Sequence, residues 1–410
     1  MSTAVVSDSI HKVELVIGLT GAIGAGCTKG AEFLETARNY RKVELSTPLK
    51  EDFRDRGIDN PTRDQLQELG NEWRKERGAE FLVSKALSNS SDQRIALSGI
   101  RNPAEVEYLR QTYGSRFTLV GILAPAEERW QRVSVEEYRS AEESEFIKND
   151  KRDNKESFSY GQGVAHCVSK ADILIYNSRI SLEKYKEKIC DSADLISGDR
   201  RRNPSEHEVF MHMAYATSHS SQCISRKVGA VITDSDRRVV GVGYNENPAG
   251  TKPCEEAYGD CFRDLEKKKY LTTALRKNGA QCPACNTPLP ERLEDGPASW
   301  RCLNVNCRVS LDELFFNDRG ASWCTAIHAE LRAILAAGER AKNGSLYCTT
   351  LPCFQCAEQL IHVGVKHVWY TEPYPSPMTQ DRLDLAGVDA QQFEGVRSTS
   401  FERFFPTKLK

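Results

Sequence analysis

Four residues in two short segments have the types and spacing of a metal site that activates water. His328 and Glu330 stand two apart in "CTAIHAELRAIL", and Cys353 and Cys356 follow Pro352 in "TTLPCFQCAEQLI". One imidazole and two thiolates are ligands that zinc prefers, and they leave its fourth position open for water. Glu330 would then move protons without binding the metal. The alternative is a zinc site with a purely structural role.

Both segments are predicted to begin helices, one from Ala326 and one from Pro352. A helix start carries the positive end of the helix dipole, which favours the deprotonated thiolates that a metal requires. The pair of motifs H-x-E and P-C-x-x-C is the signature of zinc deaminases. In the mechanism expected of such a site, zinc lowers the pKa of a bound water towards about 7 and hydroxide attacks C4 of cytosine. Glu330 passes the proton to the ring nitrogen.

The composition indicates a soluble chain with two domains. It has 410 residues, 39% of them hydrophobic and 28% charged, and a formal net charge of -2 argues against broad electrostatic binding to nucleic acid. Eleven of the 14 cysteines lie between Cys223 and Cys356, mostly in short paired spacings, which is typical of metal sites rather than disulfides. The first 20 residues lack a secretory pattern and no apolar run is long enough for a membrane span, so we expect no membrane association and a cytoplasmic location.

The two halves of the chain differ in pattern, and we predict a fold of the α/β class with domains at 1–198 and 199–410. From Val13 to Ile196, short buried strands alternate with amphipathic helices, which predicts a parallel sheet covered on both faces. The segment 191–207 has the polar, Gly and Pro residues of a linker. A capping box of Ser205 and Glu208 then opens the second domain.

The stretch "GAIGAGCTKG" near the start follows the P-loop pattern without its lysine. The residues that fill the pattern, and that we predict to bind a nucleotide phosphate through the loop, are Gly21, Gly24, Gly26 and Thr28. Cys27 replaces the lysine, Lys29 comes one position late, and Ser98 stands where a metal-supporting acid is expected. Phosphoryl transfer depends on these charges, so we expect a nucleotide or effector sensor, or a purely architectural domain, rather than an active kinase.

An insertion at about 255–320 carries two close cysteine pairs. They are Cys282 with Cys285 and Cys302 with Cys307. Their spacing is similar to that of a zinc ribbon, in which four thiolates close a tetrahedral site. A closed site has no position for substrate, so its zinc would be structural; the alternative is that no metal binds.

Most of residues 206–385 resembles the deoxycytidylate deaminase branch of the cytidine deaminase superfamily. The resemblance rests on "SQCISRKVGAVITDSDRRVVGVGYNENPAG", "IHAELRAIL" and "PCFQCAEQLIHVGVKHVWYTEPY". It implies a mixed sheet with helices on both faces, a sugar contact from Asn245, and a position for Tyr374 beside the 5′-phosphate. Arg226 and Lys227 are further phosphate candidates, with a solvated surface as the alternative.

The same resemblance bears on the remaining cysteines, since some deoxycytidylate deaminases carry a second structural zinc in these regions. The candidate ligands are Cys223, Cys254, Cys261 and Cys324. The alternative for these four is a set of buried free thiols. Cys348, in a predicted strand, is expected in the core.

Residues 12–196 resemble P-loop kinases of the nucleoside monophosphate and dephospho-coenzyme A type in architecture. Such a domain joined to a zinc deaminase resembles the bacterial anti-phage dCTP deaminases. The resemblance implies conversion of dCTP and dCMP to uracil nucleotides with ammonia release, a homo-oligomer, and an inhibitory RNA as partner. Three alternatives stay open: a housekeeping dCMP deaminase for thymidylate synthesis, a nucleic-acid cytidine deaminase, and a non-catalytic binding module.

Overall fold

A computed structural model describes residues 13–88, 94–136, 143–154, 161–277, 281–282, 285–289, 302, 304, 307, 323–373 and 377–407. The chain divides into two compact units. Unit 1 runs to Glu208 and resumes at Glu394, and unit 2 is Val209–Phe393. None of the helices in the described ranges combines the length and the apolar composition that a membrane crossing would require.

Eleven strands in the described residues are numbered along the chain. They are β1 Leu15–Thr20, β2 Arg41–Glu44, β3 Arg94–Ser98, β4 Phe117–Leu123, β5 Ile173–Tyr176, β6 Gly229–Thr233, β7 Val239–Tyr244, β8 Ser345–Thr350, β9 His367–Glu372, β10 Asp389–Gln392 and β11 Gly395–Val396.

The α-helices of the described residues are numbered in the same way. They are α1 Cys27–Arg38, α2 Thr47–Asp55, α3 Arg63–Arg77, α4 Ala79–Leu87, α5 Pro103–Tyr113, α6 Ala126–Glu136, α7 Glu143–Asn154, α8 Val164–Ser169, α9 Leu182–Ser197, α10 Glu206–Ser218, α11 Cys254–Tyr258, α12 Phe262–Lys277, α13 Ala329–Ala337, α14 Phe354–His362, α15 Pro377–Leu385 and α16 Phe401–Phe404.

Unit 1 is built on a six-stranded sheet in the order β11-β5-β4-β1-β3-β2. The five strands β1 to β5 pair in parallel, as the alternation of strands and helices predicts. All six residues of β1 are buried, which is expected of a parallel strand with both faces covered. Leu34 of α1 and Ile189 of α9 pack into the core beside this strand.

The C-terminal segment returns to unit 1. Strand β11 pairs antiparallel with β5, and Asp172, just before β5, accepts hydrogen bonds from the backbone N–H of Arg397 (2.8 Å) and from Ser400 Oγ (2.7 Å). The structure therefore differs from the predicted domains 1–198 and 199–410, because β11 completes the first sheet and the segment after Phe393 belongs to unit 1. The linker is also shorter than predicted, since α9 continues to Ser197.

Unit 2 is built on a five-stranded mixed sheet in the order β10-β9-β8-β6-β7. Strand β6 runs antiparallel to both β7 and β8, while β8, β9 and β10 are parallel. Strands β6 and β7 form a hairpin whose turn lies at residues 234–238. The α/β fold class predicted from the sequence is thus confirmed, as is the mixed sheet that the resemblance implies.

Helix α13, which follows His328, lies directly on β7. At Gly243 of β7 an added Cβ would stand 2.1 Å from the carbonyl oxygen of Ala329 and 2.6 Å from the backbone nitrogen of Ala333. Only a residue without a side chain allows this approach. Gly243 therefore sets the position of α13, the helix whose first turn carries Glu330.

Candidate active site

Two helix starts bring the predicted metal ligands together. His328 is the N-cap of α13 and Cys353 is the N-cap of α14, each with extended backbone, and Cys356 lies in the first turn of α14. Nδ1 of His328 lies 3.4 Å from Sγ of Cys353 and 3.3 Å from Sγ of Cys356. The positive ends of two helix dipoles therefore face one small volume, where they favour thiolates.

The donor set of this group fits zinc. Its three ligand atoms all lie within 4.8 Å of one another. Ligands on one tetrahedral zinc stand roughly 3.6 Å apart, given Zn–N and Zn–S bonds of about 2.1 and 2.3 Å. The observed separations are close to that value, so His328, Cys353 and Cys356 would hold the ion and leave one coordination position.

The hydrogen bond between the two thiols shifts their pKa values in opposite directions. The hydrogen bond from Cys356 lowers the pKa of Cys353 to about 4, and His328 acts in the same direction. The pKa of Cys356 is raised, chiefly by its hydrogen bond to Cys353. The same contact to Cys353 raises the pKa of His328 to about 9. A metal ion therefore competes with protons for this site.

Glu330 is the buried carboxyl group beside the ligands. Glu330 is 4% exposed, and burial raises the pKa of its carboxyl group to about 7. A general acid or base works best with a pKa close to the working pH. Glu330 can therefore hold or release a proton near neutral pH, and its role in catalysis stays a prediction.

A cleft of ≈ 670 Å³, open to solvent, gives access to this group. Its lining includes His328, Glu330 and Cys353, together with Asn245 and Arg226 from the segment around β6 and β7. Its volume is in the range of small-molecule sites. All of the lining residues belong to unit 2. This unit by itself therefore contains a pocket whose wall includes the candidate metal ligands His328 and Cys353.

Asn245 lines the cleft and also holds the loop before β6. Its Oδ1 accepts a hydrogen bond from the N–H of Val228 (2.8 Å), and its Nδ2 donates to the carbonyl oxygen of Arg226 (2.9 Å). One N–H of the amide is left for another acceptor. Lys227 is exposed and does not line the cleft. Tyr374, predicted to lie beside a phosphate, falls outside the described residues.

The four cysteines of the insertion form a second ligand group. They are Cys282, Cys285, Cys302 and Cys307, and their sulfur atoms lie within 4.8 Å of one another. Sγ of Cys285 is 3.4 Å from that of Cys302, and Sγ of Cys282 is 3.9 Å from that of Cys307. Four thiolates at these separations fit a closed tetrahedral zinc site.

The other four candidate cysteines do not form a third such group among the described residues. Cys223, Cys261 and Cys324 line the cleft, while the Sγ of Cys254 lies 3.6 Å from Thr325 Oγ1. Burial raises the pKa of Cys261 and of Cys324. The second structural zinc therefore stays a prediction, with free thiols as its alternative. Cys348 is buried in β8, as predicted.

The P-loop sequence forms the turn between β1 and α1. Gly26 is the N-cap of α1 with a φ of 117°, a conformation that side chains rarely adopt. The carbonyl oxygen of Gly26 accepts a hydrogen bond from the Tyr185 hydroxyl (2.9 Å), and that of Ala25 accepts one from Asn177 Nδ2 (2.8 Å). These contacts hold the backbone of the loop, and the binding of a phosphate by Gly21, Gly24, Gly26 and Thr28 stays a prediction.

The charges that a kinase needs are absent from these positions. Burial raises the pKa of Cys27 to about 12, so its thiol stays neutral. Lys29 is exposed and its Nζ lies 2.9 Å from Glu32 Oε2, which directs it away from the loop as predicted. Ser98 is buried at the end of β3. The loop retains backbone amides and no catalytic cation at the Cys27 position.

Sequence reasoning missed one charged residue in the cleft. Arg263 lines it and belongs to α12, a segment whose charge pattern suggests only a basic surface for nucleic acid. The signal available in the sequence was that Arg263 stands two residues after Cys261, which was a candidate metal ligand. Spacing along the chain does not show that this helix start faces His328, which is 65 residues away.

Known proteins resemble the chain in this region and beyond it. Residues 204–372 match the family described as "Cytidine and deoxycytidylate deaminase zinc-binding region". A deoxycytidylate deaminase of Schizosaccharomyces pombe is 27% identical over 395 residues, covering 92% of this chain and 97% of the relative. One from Enterobacteria phage T4 is 30% identical over 186 residues, covering 44% of this chain and 86% of the relative. The crystal structure of dCMP deaminase from the cyanophage S-TIM5 with dCMP and dUMP has 20% identity and a TM-score of 0.28, covering 47% of this chain and 100% of that chain.

A His-Cys-Cys group with a buried glutamate beside it defines the class of zinc-dependent deaminases. The sequence relatives identify the branch, and the chain belongs to the cytidine and deoxycytidylate deaminase family. The resemblance stated from the motifs is confirmed to that extent.

Proposed function

We propose that the protein deaminates the cytosine base of deoxycytidine nucleotides by hydrolysis, releasing ammonia and the uracil nucleotide. The observation that carries this proposal is the ligand group of His328, Cys353 and Cys356 at the wall of a cleft that also contains the buried Glu330. The position of a carboxyl group that lies beside the ligands without being one of them suits proton transfer during attack of water on C4.

The chain's own residues supply proton transfer and orientation. Zinc, when bound, acts as a Lewis acid that makes water a nucleophile at neutral pH. Glu330, with a pKa of about 7, accepts the proton of the attacking water and delivers it to the ring nitrogen. It then assists protonation of the amine that leaves as ammonia. Asn245 holds the loop that borders the sugar and phosphate side of the cleft.

The finer proposal is that dCTP is the preferred substrate, with dCMP also accepted, in anti-phage defence. What supports it is the combination of a P-loop unit without kinase charges and a deaminase unit. An inhibitory RNA, a homo-oligomer and a nucleotide at the P-loop belong to the same proposal.

A second candidate is a dCMP deaminase that supplies thymidylate synthesis. A specific observation favours it: the Schizosaccharomyces pombe relative, named for deoxycytidylate, spans 92% of this chain and therefore both units. In this case unit 1 would regulate the activity of unit 2.

A substrate panel distinguishes these candidates. The full-length, zinc-loaded protein is incubated with dCTP, dCMP, CTP, cytidine and a single-stranded oligodeoxynucleotide, and ammonia and uracil products are followed. A kcat/KM for dCTP above that for dCMP supports the finer proposal, and the reverse order supports the second candidate. Turnover of the oligonucleotide alone would contradict both.

A further inference from the structure

The start of helix α12 places an arginine in the cleft. Arg263 is the second residue of this helix, and it lines the same pocket as His328 and Glu330. Its Nη2 donates a hydrogen bond to Ser225 Oγ (2.8 Å), and its Nε donates to Asp264 Oδ1 (2.9 Å). The guanidinium is therefore fixed between the helix and the loop that leads to Arg226.

A cation at a helix start needs an anionic partner, and Asp264 supplies one for Arg263. The positive end of a helix dipole lies at the helix start, which favours acidic side chains and disfavours arginine. Asp264 balances one charge, while Arg226 adds a second guanidinium to the cleft lining. This end of the cleft is therefore electropositive.

The guanidinium of Arg263 can still donate hydrogen bonds to a ligand. The bonds to Ser225 and Asp264 use Nη2 and Nε, and within the described part of the chain Nη1 makes no hydrogen bond. The side chain is 29% exposed, so solvent and a ligand in the cleft can reach it. Arginine binds phosphate through two parallel N–H donors.

We propose that Arg263 binds the 5′-phosphate of the substrate and thereby selects nucleotides over nucleosides. This inference rests on the proposed function, because it assigns a specificity residue to the same cleft. Arg263 and Arg226 would bind the phosphate from two different segments. Ser225, whose hydroxyl accepts a hydrogen bond from Arg263, precedes Arg226 in the second of them. The base would then lie beside Glu330, which lines the same cleft.

The test compares Arg263→Gln and Arg263→Lys with the wild type, all full length and zinc-loaded. We expect Arg263→Gln to raise KM for dCMP and dCTP by roughly 10–100-fold, since a hydrogen bond to a charged group is lost. The kcat should change little, and Arg263→Lys should restore part of the loss. Turnover of deoxycytidine, which has no phosphate, should not change.

A matched control removes the same charge elsewhere. Arg238 lies at the hairpin turn, its side chain is 77% exposed, and it does not line the cleft, so Arg238→Gln should leave KM unchanged. Zinc content is measured for every variant. An unchanged nucleotide KM in Arg263→Gln, or equal losses for nucleotide and nucleoside, would overturn the inference.

Binding of dCMP and of inorganic phosphate, measured by calorimetry, separates this inference from the proposed function. If the wild type turns over no nucleotide, the proposed function fails. A weaker affinity of Arg263→Gln for dCMP would still support the role of Arg263, and equal affinities would reject it.

Discussion

Two buried glutamates have pKa values shifted in opposite directions, because their partners differ. Glu330 is desolvated beside thiols, and its pKa rises to about 7. Glu208 is also buried, and burial alone would raise its pKa, but hydrogen bonds from Arg202 and from the backbone N–H groups of Val396 and Ser205 lower it below 4.5. The first carboxyl is suited to proton transfer and the second to holding structure.

Glu208 should make the stability of unit 1 depend on pH. Because its pKa in the folded state lies below the unfolded value, its contribution is present above about pH 4.5 and is lost as the pH falls through the folded pKa. Glu208→Gln should lower the free energy of unfolding by about 1–3 kcal/mol at pH 7 and by less at pH 4. Thermal unfolding at several pH values checks this.

The control for this prediction is Glu402→Gln, which removes an exposed carboxylate from the same C-terminal segment. It should change the unfolding temperature little at any pH. A difference between wild type and Glu208→Gln that stays constant from pH 7 to pH 4 would mean that the carboxylate charge is not what stabilises this contact.

At the scale of elements, the site depends on how α13 and α14 are supported. Each helix start carries a candidate metal ligand at its N-cap, so a small shift of either helix would separate the candidate ligands. Helix α13 rests on β7, where Gly243 allows backbone contact with Ala329. The position of the candidate ligand His328 is therefore set partly by Gly243, which is not itself a candidate ligand.

Gly243→Ala should displace α13 from β7. The added Cβ would meet the Ala329 carbonyl oxygen at 2.1 Å, and backbone must move to relieve this contact. Overpacking of this kind costs about 1–3 kcal/mol. We expect a lower unfolding temperature, by about 2–10 °C, together with reduced zinc retention and turnover.

Val242→Ala is the matched control, since this neighbour on β7 is 42% exposed. Calorimetry, metal analysis and kinetics are compared for both variants. Full activity and wild-type stability in Gly243→Ala would show that α13 is not positioned by this contact.

At the scale of the whole molecule, the sequence predicts the candidate metal-site residues better than it predicts the boundaries of the two units. The ligands His328, Cys353 and Cys356 could be found because short motifs at helix starts fix their mutual geometry. The alternation of strands and helices likewise predicts the parallel sheet of unit 1. The return of residues 394–410 to that sheet could not be found, because β11 is only two residues long and its pairing depends on distant partners.

Two features of the cleft depend on long-range packing, which the sequence shows only in part. The resemblance implies a second zinc site for four extra cysteines, and the structure places three of them, Cys223, Cys261 and Cys324, along the cleft. Arg263 has no motif around it, and its proximity to His328 depends on how the insertion packs. Pairwise spacing along a chain does not determine such long-range contacts.

The most direct measurement of the central claim is ammonia release from dCMP and dCTP by the zinc-loaded protein and by Glu330→Gln. The wild type should release one ammonia per nucleotide deaminated, and removal of zinc by a chelator should abolish the reaction. Glu330→Gln should retain its zinc and be slower by about 10²–10⁴-fold, because proton transfer is lost. No ammonia from either nucleotide with the zinc-loaded wild type, or equal rates for the wild type and Glu330→Gln, would contradict the account.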